Sequence, residues 1–491
     1  MMRELKPRLA SLVGVLMVLL SATAVFGSQT YLSDEWSVPQ RIPGYDNDAN
    51  PPVLLVDPTG VIHAFGDKAA NRGSVIIYSR WSLAEGWSAP VDIILPTYKE
   101  QARLMDAVLD DAGMVHLIFF SGDDLDANLY YTSAPLPQLG SAPAWTAPLL
   151  IGPAAITPSE ARLVLDHAGY LAVVYAGRAE GRGVYVAYST DNGQSWAEPQ
   201  VFFLTYSDAL FLWAFQALLV DDKVHVAWTV NNISGNGEVI YYVRLSRDGT
   251  LDREPVELAV VDGYEADWPS LVAYADQLIV VYNNSQPATR WMRRSPDGGE
   301  TWTEPVRPFP HIGEYGFASF VVDSGGTLRL FTGNRIGNPA THGMWQSIWQ
   351  GDGWSELQPL VSGPPGNGFD PSKPRAVISQ GNLLFVAWRT DPMAGPNGIW
   401  YAYTLLDTPR VAGEMPVFAA EEDTVGETAV AATPAPVDSP PTLPAVLSAD
   451  QDPLANAPTG PAYALTLGAV PAIVLVALAL IIYRVRLPRQ R

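Results

Sequence analysis

Six loops of this 491-residue chain set an aromatic ring beside a carboxylate: Tyr45 with Asp46, Tyr98 with Glu100, Tyr206 with Asp208, Tyr264 with Glu265 and Asp267, Tyr315 with Glu314, and Phe369 with Asp370. Trp268 follows Asp267 directly, and a seventh loop of the same series keeps only a carboxylate, Glu160. Aromatic faces stack on sugar rings and carboxylates accept hydrogen bonds from their hydroxyls; the same groups attract a cationic peptide through charge and cation–π contacts. The structural alternative is that these residues staple neighbouring sheets and cap turns, as repeats copy one solution many times.

Two arginines interrupt this acidic set. When the apolar segments that follow the loops are aligned by sequence, Arg162 and Arg375 fall where the other copies have Val53, Asp106, Ala217, Leu271 and Ser319. A guanidinium there either pairs with nearby carboxylates or holds an anionic ligand. His63, His116 and His225 share one repeated position. A repeat spreads such residues apart, whereas metal ligands must lie about 2 Å from a common centre, so no metal is expected, nor any other cofactor.

What positions these residues is a periodic framework. A Trp followed by a small residue and often Pro recurs at Trp36, Trp87, Trp145, Trp196, Trp302 and Trp354, with spacings of 51, 58, 51, 106 and 52 residues. The long spacing is a double period whose middle member is worn to Leu251 and Pro255. Between these points stand seven copies of an apolar strand, a turn and a second strand, such as PPVLLVDPTGVIHAF and PRAVISQGNLLFVAW. A third strand follows, then a tight turn, then a fourth strand that begins at the Trp. Short alternating strands at a fixed period predict an all-β fold, a seven-bladed β-propeller of four-stranded blades over residues 34–408. The last copy lacks a fourth strand, and the segment around Trp36 is an orphan one. The N-terminal strand is therefore expected to complete the last blade and close the ring.

The turn before the fourth strand is STDNGQSW in one copy and SPDGGETW in another. Its polar side chains can cap backbone amides, its Gly can take a positive φ, and its Trp can pack between sheets. The residues Ser189, Asp191, Gly193, Ser195 and Trp196, and again Ser295, Asp297, Gly299, Thr301 and Trp302, resemble the Asp box of the sialidase and BNR-repeat β-propellers. The resemblance covers the whole repeat region and implies a structural motif at the blade periphery, away from the ligand face. Sialidases of that family are retaining glycosidases with a Tyr nucleophile, a Glu partner, an Asp acid/base and three Arg that clamp the substrate carboxylate. Carried onto this chain, the resemblance offers Arg103, Arg162 and Arg375 for the clamp and Tyr315 with Glu314 for the nucleophile pair. Two features depart from the sialidase pattern. The Arg-Ile-Pro triplet at Arg41, Ile42 and Pro43 belongs to a fourth-strand segment rather than opening an innermost strand, and sialidases have six blades.

Composition removes other classes. With 30 Lys and Arg against 51 Asp and Glu, a net charge of −21, the chain repels a nucleic-acid backbone. It has no cysteine, hence no disulfide, thiolate metal site or cysteine nucleophile. Residues 1–27 read as a secretory signal, with basic residues before the apolar run LASLVGVLMVLL. Residues 409–461, rich in Pro, Ala, Thr and acidic side chains, read as a disordered stalk. Residues 462–483 carry no charge and are long enough for a transmembrane helix; the basic tail 484–491 would stay in the cytoplasm, leaving the propeller outside. The sequence thus predicts a monomeric, single-pass membrane protein. Its propeller is expected to bind a glycan or a surface protein at the channel-mouth rim without catalysis, the alternative being a sialidase-like exo-glycoside hydrolase.

Overall fold

The computed structural model describes residues 31–416, apart from 33–34, 46–49, 72, 124–125, 155–159, 208–209, 233, 261–265, 286–287, 311–315, 335–341, 363–370 and 391–397. The expected signal segment, nearly all of the stalk, the membrane helix and the tail lie outside the described residues. Among the described residues no helix is long and apolar enough to cross a membrane. The two helical pieces are single 3-10 turns, Leu136–Gln138 and Ala142–Ala144.

The described strands form antiparallel groups built mainly of four strands each. The first strands of the groups are Val53–Val56, Gln101–Leu109, Ala161–Leu165, Phe211–Val220, Ala266–Tyr274, Ala318–Val322 and Pro371–Ser379. One parallel bridge, Ser74 to Gln101, fuses the first two groups into a nine-stranded sheet. Each first strand packs beside the first strand of the next group, and Pro371–Ser379 packs beside Val53–Val56. The chain supplies only three strands to the last group from its own repeat. The fourth is Gln40–Arg41, paired with Ile399–Leu405 through Gln40 to Tyr401 and Arg41 to Trp400. Ahead of it, Tyr31–Leu32 adds a fifth strand to the edge of the preceding group. Arg41 is therefore exposed on an outer edge, far in sequence and register from the inner strands.

Strand alternation places one set of apolar side chains on each face, so the core forms as clusters between neighbouring sheets. One cluster joins Ile62, Ile77 and Trp81 of the first group to Phe385 and Tyr401 of the last. The repeated Trp residues follow one rule, each lying against the group before its own. Trp145 meets Phe65 at 6.1 Å, Trp196 meets Tyr131 at 5.1 Å, Trp302 meets Tyr242 at 5.0 Å, and Trp36 meets Phe331 at 6.1 Å. Trp87 of the first group lies against Tyr401 of the last at 5.7 Å.

The two full turn motifs do what their residues suggest. In the first, Ser189 Oγ accepts from Gly193 N at 2.9 Å and Asp191 Oδ1 accepts from Ser195 N at 2.9 Å; in the second, the equivalent distances at Ser295 and Asp297 are 2.7 and 2.9 Å. The hydroxyls of Ser195 and Thr301, which also donate to the two carboxylates, together with their amides hold both carboxyls down, to about 2. The repeated histidines are packed polar residues. His63, His116 and His225 share hydrogen bonds of 2.7 to 2.8 Å with the hydroxyls of Tyr78, Tyr131 and Tyr242.

Candidate functional site

The inner strands carry a belt of side chains at one register. Asp106 stands opposite Ile118, Arg162 opposite Val174, Gln216 opposite Ala227, Ser270 opposite Val281 and Arg375 opposite Ala387. Each partner immediately precedes the repeated aromatic of its strand, Phe119, Tyr175, Trp228, Tyr282 or Trp388. This corrects the sequence alignment at two places: Gln216 and Ser270, rather than Ala217 and Leu271, are the equivalents of the arginines. The strands shift register between Trp213 and Gln216 and between Asp267 and Ser270, and such bulges are invisible inside an apolar run.

Several belt residues sew one sheet to the next. Asp106 Oδ2 accepts from Leu163 N at 3.1 Å and Ser270 Oγ from Ala318 N at 2.8 Å; on the sixth inner strand, where Ser319 faces Phe331, Ser319 Oγ accepts from Ala376 N at 3.0 Å. A guanidinium cannot accept. Where Arg162 takes the belt position, the amide of the next inner strand, Phe215 N, is accepted by Glu160 Oε2 at 2.9 Å. The sewing has been moved to another residue, so it does not explain why an arginine is there.

The cavity beside the belt does. Arg103, Arg162, Arg375 and Lys373 line one cavity of about 180 Å³ together with Asp67, Glu160 and the rings of Phe65, Trp213, Trp268 and Phe317. Trp213 and Trp268 meet at 4.3 Å between ring centroids, and Trp268 meets Phe317 edge-on at 4.8 Å. Lys373 Nζ lies 5.0 Å from the Trp268 ring centre and donates to Asn50 Oδ1 at 3.3 Å. Two wall residues adopt left-handed backbone, Trp268 at φ 54° and Lys373 at φ 50°. For bulky side chains this conformation is costly, and such strain collects where a side chain must be aimed. Here the bulges aim an indole and an ammonium into the same space.

Charge in the cavity is unbalanced. Arg162 lies 3.9 Å from Glu160, a loose pair. Neither Arg103 nor Arg375 makes a side-chain hydrogen bond or ion pair with a described residue. Burial pushes the Arg375 guanidinium down to about 10, and Arg162 beside it adds to the effect; Asp106 and Glu160 oppose it. Burial, with Arg389 and Arg375 nearby, pushes the Lys373 ammonium down to about 8. The Asp67 carboxyl is raised by burial, against the pull of Arg103. An anion entering this space would relieve each cation.

The structure gathers Arg103, Arg162, Arg375 and Trp268, and it reassigns other candidates. Tyr45 is 1% exposed with its ring against Gly66, a core residue rather than a rim contact. Tyr98 donates to Asp126 Oδ2 at 2.5 Å, not to Glu100, which is exposed; with Lys99 bridging Asp123 and Asp126 at 3.0 Å each, it is part of a polar staple. Tyr206 is 86% exposed. Asp46, Asp208, Tyr264, Glu265, Glu314, Tyr315, Phe369 and Asp370 lie outside the described residues. Among the described residues, Glu160 and Trp268 of the loop series line the same cavity as the three arginines, whereas Tyr45 and Tyr98 do not. Sequence reasoning missed Lys373, Trp213, Phe317 and Asp67. A signal for the first existed: Trp268-Pro269-Ser270 and Lys373-Pro374-Arg375 both place a large residue and Pro directly before a belt position.

No family model matches the chain, and no curated protein matches it. Among solved structures, a protein of unknown function from Dyadobacter fermentans is similar at 14% identity, covering 77% of this chain and 99% of its own, with a TM-score of 0.47. A polysaccharide lyase, an ulvan lyase, is similar at 14% identity over 75% of this chain and 96% of its own, TM-score 0.49. A sialidase from Streptococcus pneumoniae is similar at 13% identity over 77% of this chain and 71% of its own, TM-score 0.43. At these scores the argument for function rests on the cavity alone.

Asp267 is buried behind the wall, where its Oδ1 accepts from Trp213 Nε1 at 2.9 Å and from Trp268 N at 2.7 Å. Burial nevertheless dominates and raises its carboxyl to about 7. The folded state then holds this proton more tightly than the unfolded chain does. That contribution to stability is complete below the ordinary carboxyl range near 3.8 and is lost as pH rises through 7. Asp267→Asn keeps an oxygen acceptor and removes the titration. Thermal unfolding is expected to show the variant more stable than the parent at pH 8, by about 1–3 kcal/mol, with the advantage gone at pH 4. An advantage independent of pH would show that Asp267 is not the titrating group.

Proposed function

We propose that this chain is a closed seven-bladed β-propeller, held outside a membrane by its C-terminal helix and stalk, and that it binds an anionic saccharide through a carboxylate placed in the central cavity. The observation that carries the reading is the convergence of Arg103, Arg162 and Arg375 with Lys373 on one small cavity walled by Trp213, Trp268 and Phe317. Planar guanidiniums match a carboxylate, the indoles offer faces to a sugar ring, and the volume admits one cyclic unit or a chain end. The ring is supported by seven successive inner strands whose last lies beside the first, and by the N-terminal strand on Ile399–Leu405.

In this reading the cavity binds without turnover. A second reading, hydrolysis, is favoured by the same three arginines together with Asp67, whose raised carboxyl faces the cavity as a proton donor would. Its nucleophile pair would be Tyr315 and Glu314. The purified protein applied to acidic and neutral saccharides, with release of fluorophore from a sialoside measured in parallel, separates the two. Retention of acidic saccharides with no release supports binding. Release overturns the non-catalytic reading, and failure to retain any carboxylate-bearing sugar overturns both.

A further inference from the structure

Guanidiniums from three arginines suffice to hold one carboxylate, so the remaining cation of the cavity, Lys373, calls for a reason of its own. It is unlike the other described lysines. Lys68 is exposed, Lys99 bridges Asp123 and Asp126 at 3.0 Å each, and Lys223 meets Asp252 at 2.8 Å. Lys373 lines the cavity and makes no ion pair with a described residue. Its side chain is nevertheless held in place. The left-handed backbone at φ 50° and the register shift between Ser372 and Arg375 bring it into the cavity that the arginines line, and its stem passes so close to Gly316 that a Cβ there would stand 3.0 Å from Lys373 Cγ. Nζ ends 5.0 Å from the centre of the Trp268 ring and donates to Asn50 Oδ1 at 3.3 Å. As a partner for a carboxylate, lysine is a point charge and lacks the planar fork of arginine. What it has that arginine lacks is an amine that can be neutral near pH 7 and can then attack carbon. Burial, with Arg389 and Arg375 nearby, pushes this ammonium down to about 8 against the pull of Glu160, so roughly a tenth of it is neutral at pH 7.

We propose that Lys373 Nζ forms a reversible imine with the carbonyl carbon of an α-keto acid, such as the open-chain form of a 2-keto sugar acid, whose carboxylate lies on Arg103, Arg162 and Arg375. The inference rests on the carboxylate seat proposed above and adds a covalent step to it. In an α-keto acid the carbonyl adjoins the carboxylate, so anchoring the one presents the other to an amine in the same small cavity. The Nζ lone pair forms the C–N bond while the π pair of the carbonyl moves to its oxygen. That oxygen takes one proton from the nitrogen and one from an acid and leaves as water, and the product is the protonated imine. Asp67 lines the same cavity with its carboxyl raised by burial, which suits it to supply the second proton. Addition of water reverses every step and returns the amine.

The test treats the full-length protein with pyruvate and cyanoborohydride, which reduces an imine to a stable carboxyethyl-lysine, and locates the adducts by peptide mass spectrometry. Lys373 is expected to be modified at least about tenfold faster than Lys68, Lys99 or Lys223, which serve as controls within the same chain. Acetone has the carbonyl without the carboxylate and is expected to show no such preference. Lactate has the carboxylate without the carbonyl and is expected to slow the labelling by pyruvate. Lys373→Arg is expected to remove the fast adduct, while the comparison of lysines in the unaltered protein does not depend on that variant folding. Labelling of all four lysines by pyruvate at one rate overturns the imine. If an acidic methyl glycoside, which has no free carbonyl, is still retained, the carboxylate seat stands without it; if none is retained, both readings fall. A preference for Lys373 as strong with acetone as with pyruvate overturns the proposal as well, since the carboxylate would then not direct the attack.

Discussion

Replacing Arg375 by methionine is expected to weaken binding of a carboxylate-bearing sugar by about 100-fold or more while leaving thermal stability unchanged or raised. The two halves of the result have one cause. Arg375 is a buried cation with no hydrogen-bond partner among the described residues, and burial, with Arg162 adding to it, pushes it down to about 10. The carboxylate that opposes this shift most, Asp106, also acts on Arg162 and is held by Leu163 N at 3.1 Å and Ala107 N at 3.0 Å. Methionine fills a similar volume, leaves Asp106 satisfied and removes a buried charge. The ligand, in contrast, loses a planar donor that no neighbour can replace. Calorimetric titration and thermal unfolding of the same preparations check both halves. A destabilised variant with unchanged affinity would make Arg375 a structural member of the belt.

Gly299→Ala is expected to lower stability by about 2–4 kcal/mol, whereas Gly351→Ala, at the same place in a worn copy of the turn, is expected to cost about 1 kcal/mol. Both glycines have positive φ, 91° and 99°. They differ in what lies above them. A Cβ on Gly299 would stand 1.7 Å from the Tyr242 hydroxyl, while one on Gly351 meets nothing within 4 Å. Tyr242 cannot simply move, since its hydroxyl bonds His225 Nδ1 at 2.7 Å and its ring packs on Trp302. Gly193 repeats the arrangement against Tyr131 and His116. Both full motifs thus dock their glycine under a Tyr–His pair of the preceding group. Denaturant unfolding of the two variants reads the difference, and equal costs would reduce the motif to backbone conformation alone.

Much of the framework was legible in the chain because it depends on period. Strand alternation, Trp spacing and the missing fourth strand each have a local cause, and Gln40–Arg41 lies on Ile399–Leu405 as the orphan strand near Trp36 suggested. The site was legible only in part. Arg103, Arg162 and Arg375 stood out by charge against an acidic background, and they line one cavity. Trp213 did not stand out, because the bulge that turns it inward changes register without changing composition, and Lys373 was marked only by the Pro that separates it from Arg375. The surroundings of Tyr45 and Tyr98 were illegible for a related reason. Aromatic residues beside carboxylates have the same sequence whether the ring is free, buried against Gly66, or tied to Asp126 from another loop.

Titration of the protein with a methyl glycoside of an acidic sugar, and with the same sugar as its carboxylate methyl ester, tests the cavity most directly. The free acid is expected to bind, with affinity falling as salt is raised, and the ester is expected to bind at least about 100-fold more weakly because it offers the guanidiniums no anion. Equal affinity for acid and ester would contradict the account, since the cations that line the cavity would then have no part in recognition.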